Sequence, residues 1–456
     1  MLQELREKHP RFIYESFQTD RQDNKLRVRF RFILEPNIVF CPEVILPLHQ
    51  SLNYKDLGNF AFHLGLIEMV SYWKAACPKE VRVEAGQLTK EQINWWHDLF
   101  IHGLGDFFYH NNIDFTPINF LQIKSNSNRE LYAPIQKSIN NSGDLILVGG
   151  GKDSTVTMEL LKGMPGRKRC LILNPTRAAL ESVQIVGYPE PLVVERTIDQ
   201  NLLKLNQLGY LNGHTPFSAY LAFLGAFVGT LHECKNIIVS NDHSTDEGNV
   251  LFHDLEINHQ YSKSFRFEKL FREYSARYLT SQVQYFSFLR PLYEIQVSQL
   301  FASYPEHHFS FRSCNVGQKE DRWCGECAKC VFVYISLFPF LSPERMKEIF
   351  GKDYYLKPKI EPVIRALVGL KEPKPFECIG TKEESILAVA LAIRRYKDLG
   401  GKIPSMLVSL GKELGLDDTK TVQLLEDKIK KRWNSEHFLP EEYVKLLKAA
   451  LVKLKI

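Results

Sequence analysis

Three consecutive glycines, Gly149, Gly150 and Gly151, stand in the middle of the stretch LILVGGGKDSTV and leave the backbone few options. Lacking Cβ atoms, they let the chain turn sharply, and neither a strand nor a helix continues comfortably through them. The apolar run Leu145 to Val148 reads as a strand and the residues after the glycines as the start of a helix. Comparable β-branched runs recur at Cys170 to Leu173, Leu192 to Val194 and Ile237 to Val239, mostly with helix-length segments between them. Strand and helix alternating at this spacing predict an α/β fold with a largely parallel sheet covered on both faces.

In such sheets ligands collect beyond the carboxyl ends of the strands. The amides of the glycine turn and the positive end of the following helix converge on one point, which favours phosphate. A P-loop is excluded, because Asp153 occupies the position after Gly-Lys where that motif needs Ser or Thr. In this turn Lys152 supplies a point charge, Asp153 can hold Mg2+ beside the phosphates, and Ser154 is expected to cap the helix while donating to a phosphate oxygen. The turns after the neighbouring strands add Asn174 on one side and SNDHSTDEGN, with Ser240, Asn241, Gly248 and Asn249, on the other. The polar set NHQYSKS contributes Asn258, His259 and Lys263, the last expected to offset negative charge on a phosphate. His214, in LNGHTP, precedes an apolar helix whose N-terminus suits an anionic substrate.

Around this core the chain divides into an N-terminal α+β region over residues 1–120, the core over 121–340 and a helical C-terminal domain over 341–456. The first shows short β-like runs between Leu26 and Leu46, then helical periodicity rich in aromatics between Leu57 and Asn112. In the last, Ser342-Pro343 makes a helix start and Thr381 with Glu384 a capping box. Tyr443, Leu446, Leu447, Ala450 and Leu451 share one helical face there. The apolar stretch Phe217 to Leu231 is too short to cross a bilayer and reads as a buried helix. The charged N-terminus MLQELREKHPRF lacks a signal peptide's apolar centre, so a cytoplasmic protein without membrane insertion is expected. A formal charge of +5 is too diffuse to mark a nucleic-acid surface, and none is expected to bind. The basic run Lys428, Lys430, Lys431 and Arg432 reads as a solvated helix face.

Four of the nine cysteines, Cys314, Cys324, Cys327 and Cys330, follow the spacing C-x9-C-x2-C-x2-C. Four thiolates this close in a reducing compartment are expected to bind one metal; Zn2+ fits best, an iron–sulfur cluster comes second and unbound thiols last. Cys378, in FECIG, is either a small buried hydrophobe or a thiol serving as acid and base, as in racemases that work without pyridoxal. Cys41, Cys170 and Cys234 read as core.

The loop GGGKDS resembles the SGGxDS pyrophosphate loop of the N-type ATP pyrophosphatases (PP-loop enzymes), with Gly149 in place of the usual serine and one hydroxyl donor fewer. That family cleaves ATP between its α- and β-phosphates and adenylates a carboxylate or carbonyl oxygen. A narrower resemblance covers most of the chain. The ordered strings SYWKAACP, HGLGDFFYHNNID, LNGHTP, SNDHSTDEGN, INHQYSKSFRFE, RPLYE, WCGECAKCVFVYISLFPFL and FECIG are similar to those of the ATP-dependent UDP-N-acetylmuramoyl-L-alanyl-L-glutamate epimerases. The resemblance implies ATP and Mg2+ as requirements, a UDP-linked muramoyl dipeptide as substrate, and inversion of its terminal L-glutamate in peptidoglycan precursor synthesis. From their own chemistry and placement, Lys263, which can meet the adenylate, Asp153, Cys378 and His214 are the catalytic candidates. The cysteine cluster, which resembles that of deazaguanine nitrile synthases on the same scaffold, keeps a second class in view: a PP-loop synthase, or an enzyme modifying tRNA or a nucleobase. A third is a non-catalytic nucleotide-binding protein, prompted by Gly149. Nothing in the sequence assigns an oligomeric state.

Overall fold

The computed structural model describes residues 1–48, 57–136, 143–318 and 320–454. Its first six strands are β1 (Arg11–Gln22), β2 (Lys25–Leu34), β3 (Ile38–Phe40), β4 (Glu43–Pro47), β5 (Glu80–Val83) and β6 (Gln122–Ser125). The next four alternate with helices: β7 (Gly143–Leu147), β8 (Lys168–Leu173), β9 (Leu192–Thr197) and β10 (Cys234–Val239). A two-stranded hairpin, β11 (Val250–Phe252) with β12 (Leu255–Ile257), and β13 (Gln284–Ser287) complete the set.

All but the hairpin join one mixed sheet in the order β13-β10-β7-β8-β9-β4-β2-β1-β5-β6, with β3 also paired to β2. From β13 to β9 every pairing is parallel, as the alternating pattern predicts. The period of two explains the burial of both faces. Leu145, Leu147 and Ile237 point into one core with the buried helix Phe217–Leu231. Ile146, Val148 and Ile238 point into a second core that includes the C-terminal helices. The shared face read near the C-terminus places Tyr443, Leu447 and Leu451 in that second core, and Tyr443 donates to Asp144 at 2.7 Å, tying the last helix to β7.

The front strands do not form a sheet of their own. β4 pairs antiparallel with β9, Ile45 opposite Glu195, so they extend the main sheet. The strands β5, β6 and β13 are short and were not legible as periodic runs. The core assignment of Cys41 is corrected: it is exposed, because Phe40 takes the inward position at the end of β3. Cys170 and Cys234 are buried as expected. Ser342 and the Thr381–Glu384 box cap their helices. In the basic run, Lys428 and Arg432 pair with Glu383, Lys430 with Glu426 and Lys431 with Asp427. Among the described residues no helix is long and apolar enough to cross a membrane.

Arg196, at the end of β9, forms a two-point ion pair with the fully buried Glu68, at 2.8 and 2.9 Å, and lies over the Tyr220 ring. It joins helix Gly58–Trp73 to the sheet. Breaking a buried pair by removing one partner strands the other charge. Glu68→Ala is therefore expected to lower unfolding stability by about 3–5 kcal/mol in urea titrations.

Candidate active site at the strand ends

The chain runs β7, β8, β9 in one direction and then crosses back to place β10 on the other side of β7. A cleft opens where strand order reverses, at the carboxyl ends of β7 and β10. It is a cavity of about 270 Å³ whose walls include Gly149, Gly151, Ser240, Lys263, Lys329 and Cys378. A neighbouring cavity of about 750 Å³, bounded by Asn174, Thr176 and Phe217, shares Gly149 with it.

The glycine turn is built as its composition demands. Gly150 has φ +80°, and a Cβ there would stand 2.6 Å from the Ala179 nitrogen, so only glycine fits. A Cβ at Gly149 would meet nothing within 4 Å, which leaves that side of the turn open to the cavity. The N-cap of helix Lys152–Leu161 is Gly151, not Ser154. Ser154 lies in the first turn, lines the cavity and donates to the Gly151 carbonyl at 3.0 Å. Lys152 turns inward, buried against Asp153 and against Glu294 at 2.8 Å, and does not line either cavity.

Across the cleft, Lys263 donates to the Cys378 sulfur at 3.1 Å, and Lys329 donates to the Cys378 carbonyl. His259 bonds Asp106 through Nδ1 at 2.6 Å and pairs with Cys378. Burial alone would push the His259 imidazole down, but its bonds to Asp106 and Cys378 outweigh that and raise it to about 9. Burial alone would push the Cys378 thiol up, yet Lys263 and His259 hold it well below its ordinary value. Both shifts favour the charged forms, thiolate at Cys378 and imidazolium at His259. The His214 ring lies tilted against that of His259, centroids 4.3 Å apart, with Nδ1 3.8 Å from Asp106; burial, then the neighbouring His259, lower it to about 3 and favour its neutral form.

A buried guanidinium fixes this wall. Arg290, with no exposed surface, donates to the Asp242 carbonyl at 2.7 Å, to Thr245 at 3.0 Å and to the Lys263 carbonyl. The other candidates of this region brace the loop. Asn249 bonds the Pro375 carbonyl and accepts from the His259 amide, and Asn258 donates to the Thr245 carbonyl. Gly248 makes room for Glu256, whose side chain a Cβ would overlap. Asn241 donates to Ser287 at 3.2 Å, and Asn174, itself at φ +48°, bonds the backbone of Arg196. Behind Cys378, a narrow polar niche is lined by Asp153, Asp242 and Glu294. Burial pushes Glu294 up to about 7, partly offset by Lys152, and one of its oxygens lacks a hydrogen-bond partner.

The four sulfurs of Cys314, Cys324, Cys327 and Cys330 lie within 4.8 Å of one another, a group able to hold a metal ion. Amides of Gly317, Cys324, Cys327 and Cys330 donate to three of these sulfurs. Lys329 stands between two of the cysteines, so the cluster and the Cys378 wall share one short segment.

The MurL N-terminal domain profile matches residues 3–288, and the MurL C-terminal domain profile residues 310–413. The chain belongs to the MurL family. A relative from Salinispora tropica is 32% identical over 361 residues, covering 77% of this chain and 78% of its own. One from Micromonospora sp. is 30% identical over 424 residues, covering 90% and 91%. A third, from Xanthomonas oryzae pv. oryzae, is 31% identical over 342 residues, covering 73% and 74%. All three are named UDP-N-acetyl-alpha-D-muramoyl-L-alanyl-L-glutamate epimerase.

In this MurL-family chain, sequence reasoning passed over Asp106, Arg290, Glu294 and Lys329. Their signal was present: a lone acid among aromatics in GDFFYH, two charges bracketing Pro291, Leu292 and Tyr293 in RPLYE, and a lysine between cluster cysteines. Folding raises the His259 pKa, so the stabilisation from its pairing is complete below the unfolded value near 6.5 and is lost as pH rises through about 9. Asp106→Asn removes the charge that favours the imidazolium. The His259 titration midpoint, followed by NMR of ring-labelled histidine, is expected to fall from about 9 toward 6.5.

Proposed function

We propose that this protein is an ATP-dependent epimerase that inverts the terminal L-glutamate of UDP-N-acetylmuramoyl-L-alanyl-L-glutamate through carboxylate adenylation. The substrate comes from the names of the relatives. The observation carrying the ATP chemistry is the glycine turn at the strand-order reversal, its helix N-terminus facing a cavity walled by Lys263 and Lys329. On this reading, residues 121–340 are a PP-loop core, with 1–120 before it and the helical 341–456 after it.

The amides of Gly149, Gly150 and Gly151 receive the phosphates, and the larger cavity beside Asn174 receives the nucleoside. Asp153, Asp242 and Glu294 suit Mg2+, a cation that takes carboxylate oxygens, and the burial and mutual crowding that raise Asp242 and Glu294 are what a divalent cation would relieve. When bound, Mg2+ neutralises phosphate charge. A glutamate carboxylate oxygen attacks the α-phosphorus, the bond to the bridging oxygen breaks, and pyrophosphate leaves. The acyl adenylate no longer carries the carboxylate's charge, so its α-proton becomes removable, while Lys263 offsets charge that builds on the carbonyl oxygen. The proton returns from the opposite face; water then adds to the acyl carbon, the acyl carbon–oxygen bond to AMP breaks, and the carboxylate and AMP are released as the water's protons pass to solvent.

In deuterium oxide with ATP, Mg2+ and the UDP-linked dipeptide, the α-carbon of the resulting D-glutamate is expected to carry solvent label, with AMP and pyrophosphate formed. Label appearing without ATP, or ATP cleaved to ADP and phosphate, would overturn the scheme.

The cysteine cluster fits structural Zn2+. Tetrahedral thiolates about 2.3 Å from a zinc ion lie about 3.8 Å apart, and Cys324 and Cys330 have sulfurs 3.7 Å apart. Metal analysis of purified protein is expected to find zinc, lost in Cys327→Ser together with several kcal/mol of stability. A brown iron-containing preparation would refute the zinc assignment.

A further inference from the structure

Cys378, His259 and Asp106 form a chain that acid–base chemistry alone does not require. A thiolate paired with an imidazolium, whose ring is oriented by a buried carboxylate, is the arrangement by which a nucleophile is activated. The Asp106–His259 bond is 2.6 Å, Asp106 is buried, and Lys263 adds a second positive charge 3.1 Å from the sulfur. The sulfur lines the same cavity as Gly149, Gly151 and Ser154, where the activated carboxylate would form.

Resting on the adenylation reading above, we propose that Cys378 attacks the acyl adenylate and carries the glutamyl group as a thioester during epimerisation. The thiolate lone pair forms a bond to the acyl carbon, and the acyl carbon–oxygen bond to AMP breaks. AMP takes that electron pair, and no proton moves. After the α-proton has left and returned, water adds to the thioester carbonyl, and the carbon–sulfur bond breaks. Thiolate and carboxylate are restored, and the two protons of the water pass to solvent.

Two arguments select nucleophile over base. A thiolate whose proton affinity has been lowered by neighbouring cations is a poor base toward carbon, but its nucleophilicity falls less steeply, with a Brønsted slope of about 0.4–0.5. Sulfur also overlaps weakly with the carbonyl, so a thioester keeps its α-proton acidic while AMP departs. This assigns Cys378 a different role from the acid–base one suggested by sequence. His259 is then a catalytic residue beside the sulfur and Asp106 a positioning residue.

The test uses the full-length protein with ATP, Mg2+ and a dipeptide analogue bearing α-methylglutamate, which has no α-proton to lose. Acid-quenched wild type is expected to show, by intact mass and peptide mapping, an adduct on Cys378 equal to the analogue minus water and released by hydroxylamine. Cys378→Ala is expected to turn over ATP to AMP with this analogue at least 100-fold more slowly than wild type. Equal AMP turnover in the two proteins, or wild type that turns the analogue over with no adduct on Cys378, would overturn the thioester, since a mere base has no part in a substrate without an α-proton. If wild type forms no AMP even with the natural dipeptide, it is the adenylation reading that fails. The wild-type adduct decides the matter even if the alanine variant does not fold.

Discussion

The cavity wall depends on one fully buried guanidinium. A charge taken out of water needs partners, and Arg290 finds them through its two terminal nitrogens in the Asp242 and Lys263 carbonyls, Thr245 and, at 3.5 Å, Glu268. All of these acceptors but Glu268, which lies in the helix Phe265–Tyr274, come from the loop after β10 and from the turn holding Lys263, segments outside the strands and long helices. The position of the Lys263 backbone, and with it the reach of the ammonium to Cys378, is therefore set by a core interaction.

The charge pattern around the cleft falls into two zones. On the Cys378 side, Lys263, Lys329 and His259 gather around a single cysteine, an environment that stabilises negative charge. On the other side, Asp153, Asp242 and Glu294 crowd around Lys152, and burial raises both Asp242 and Glu294. Two such zones side by side match a ligand that brings its own cation along with its anionic groups. The inward turn of Lys152 belongs to this second zone: it balances the carboxylates and leaves the glycine amides free to face the cavity.

What was legible in the sequence is what repeats or is chemically extreme. The parallel strands β7 to β10 announce themselves through runs buried on both faces, the triglycine turn through its composition, and the four-cysteine cluster through its spacing. Cys378, Lys263 and His259 could be singled out one by one, but not the fact that they touch. Cys378 and His259 lie more than a hundred residues apart, and Asp106 as far again, so their meeting is a product of topology. Short strands such as β5 and β13 carry too few residues to show a period. Cys41 looked apolar in composition, and only the strand register turns it outward.

The antiparallel seam between β4 and β9 has a consequence for how the polypeptide can be divided. β9 is the last strand of the parallel stack, and its outer edge is covered only because β4 lies against it. A shortened chain beginning after residue 120 would present that row of amides and carbonyls to water, a template on which other molecules can add strands. The leading segment therefore covers an edge open to self-association as well as extending the parallel sheet.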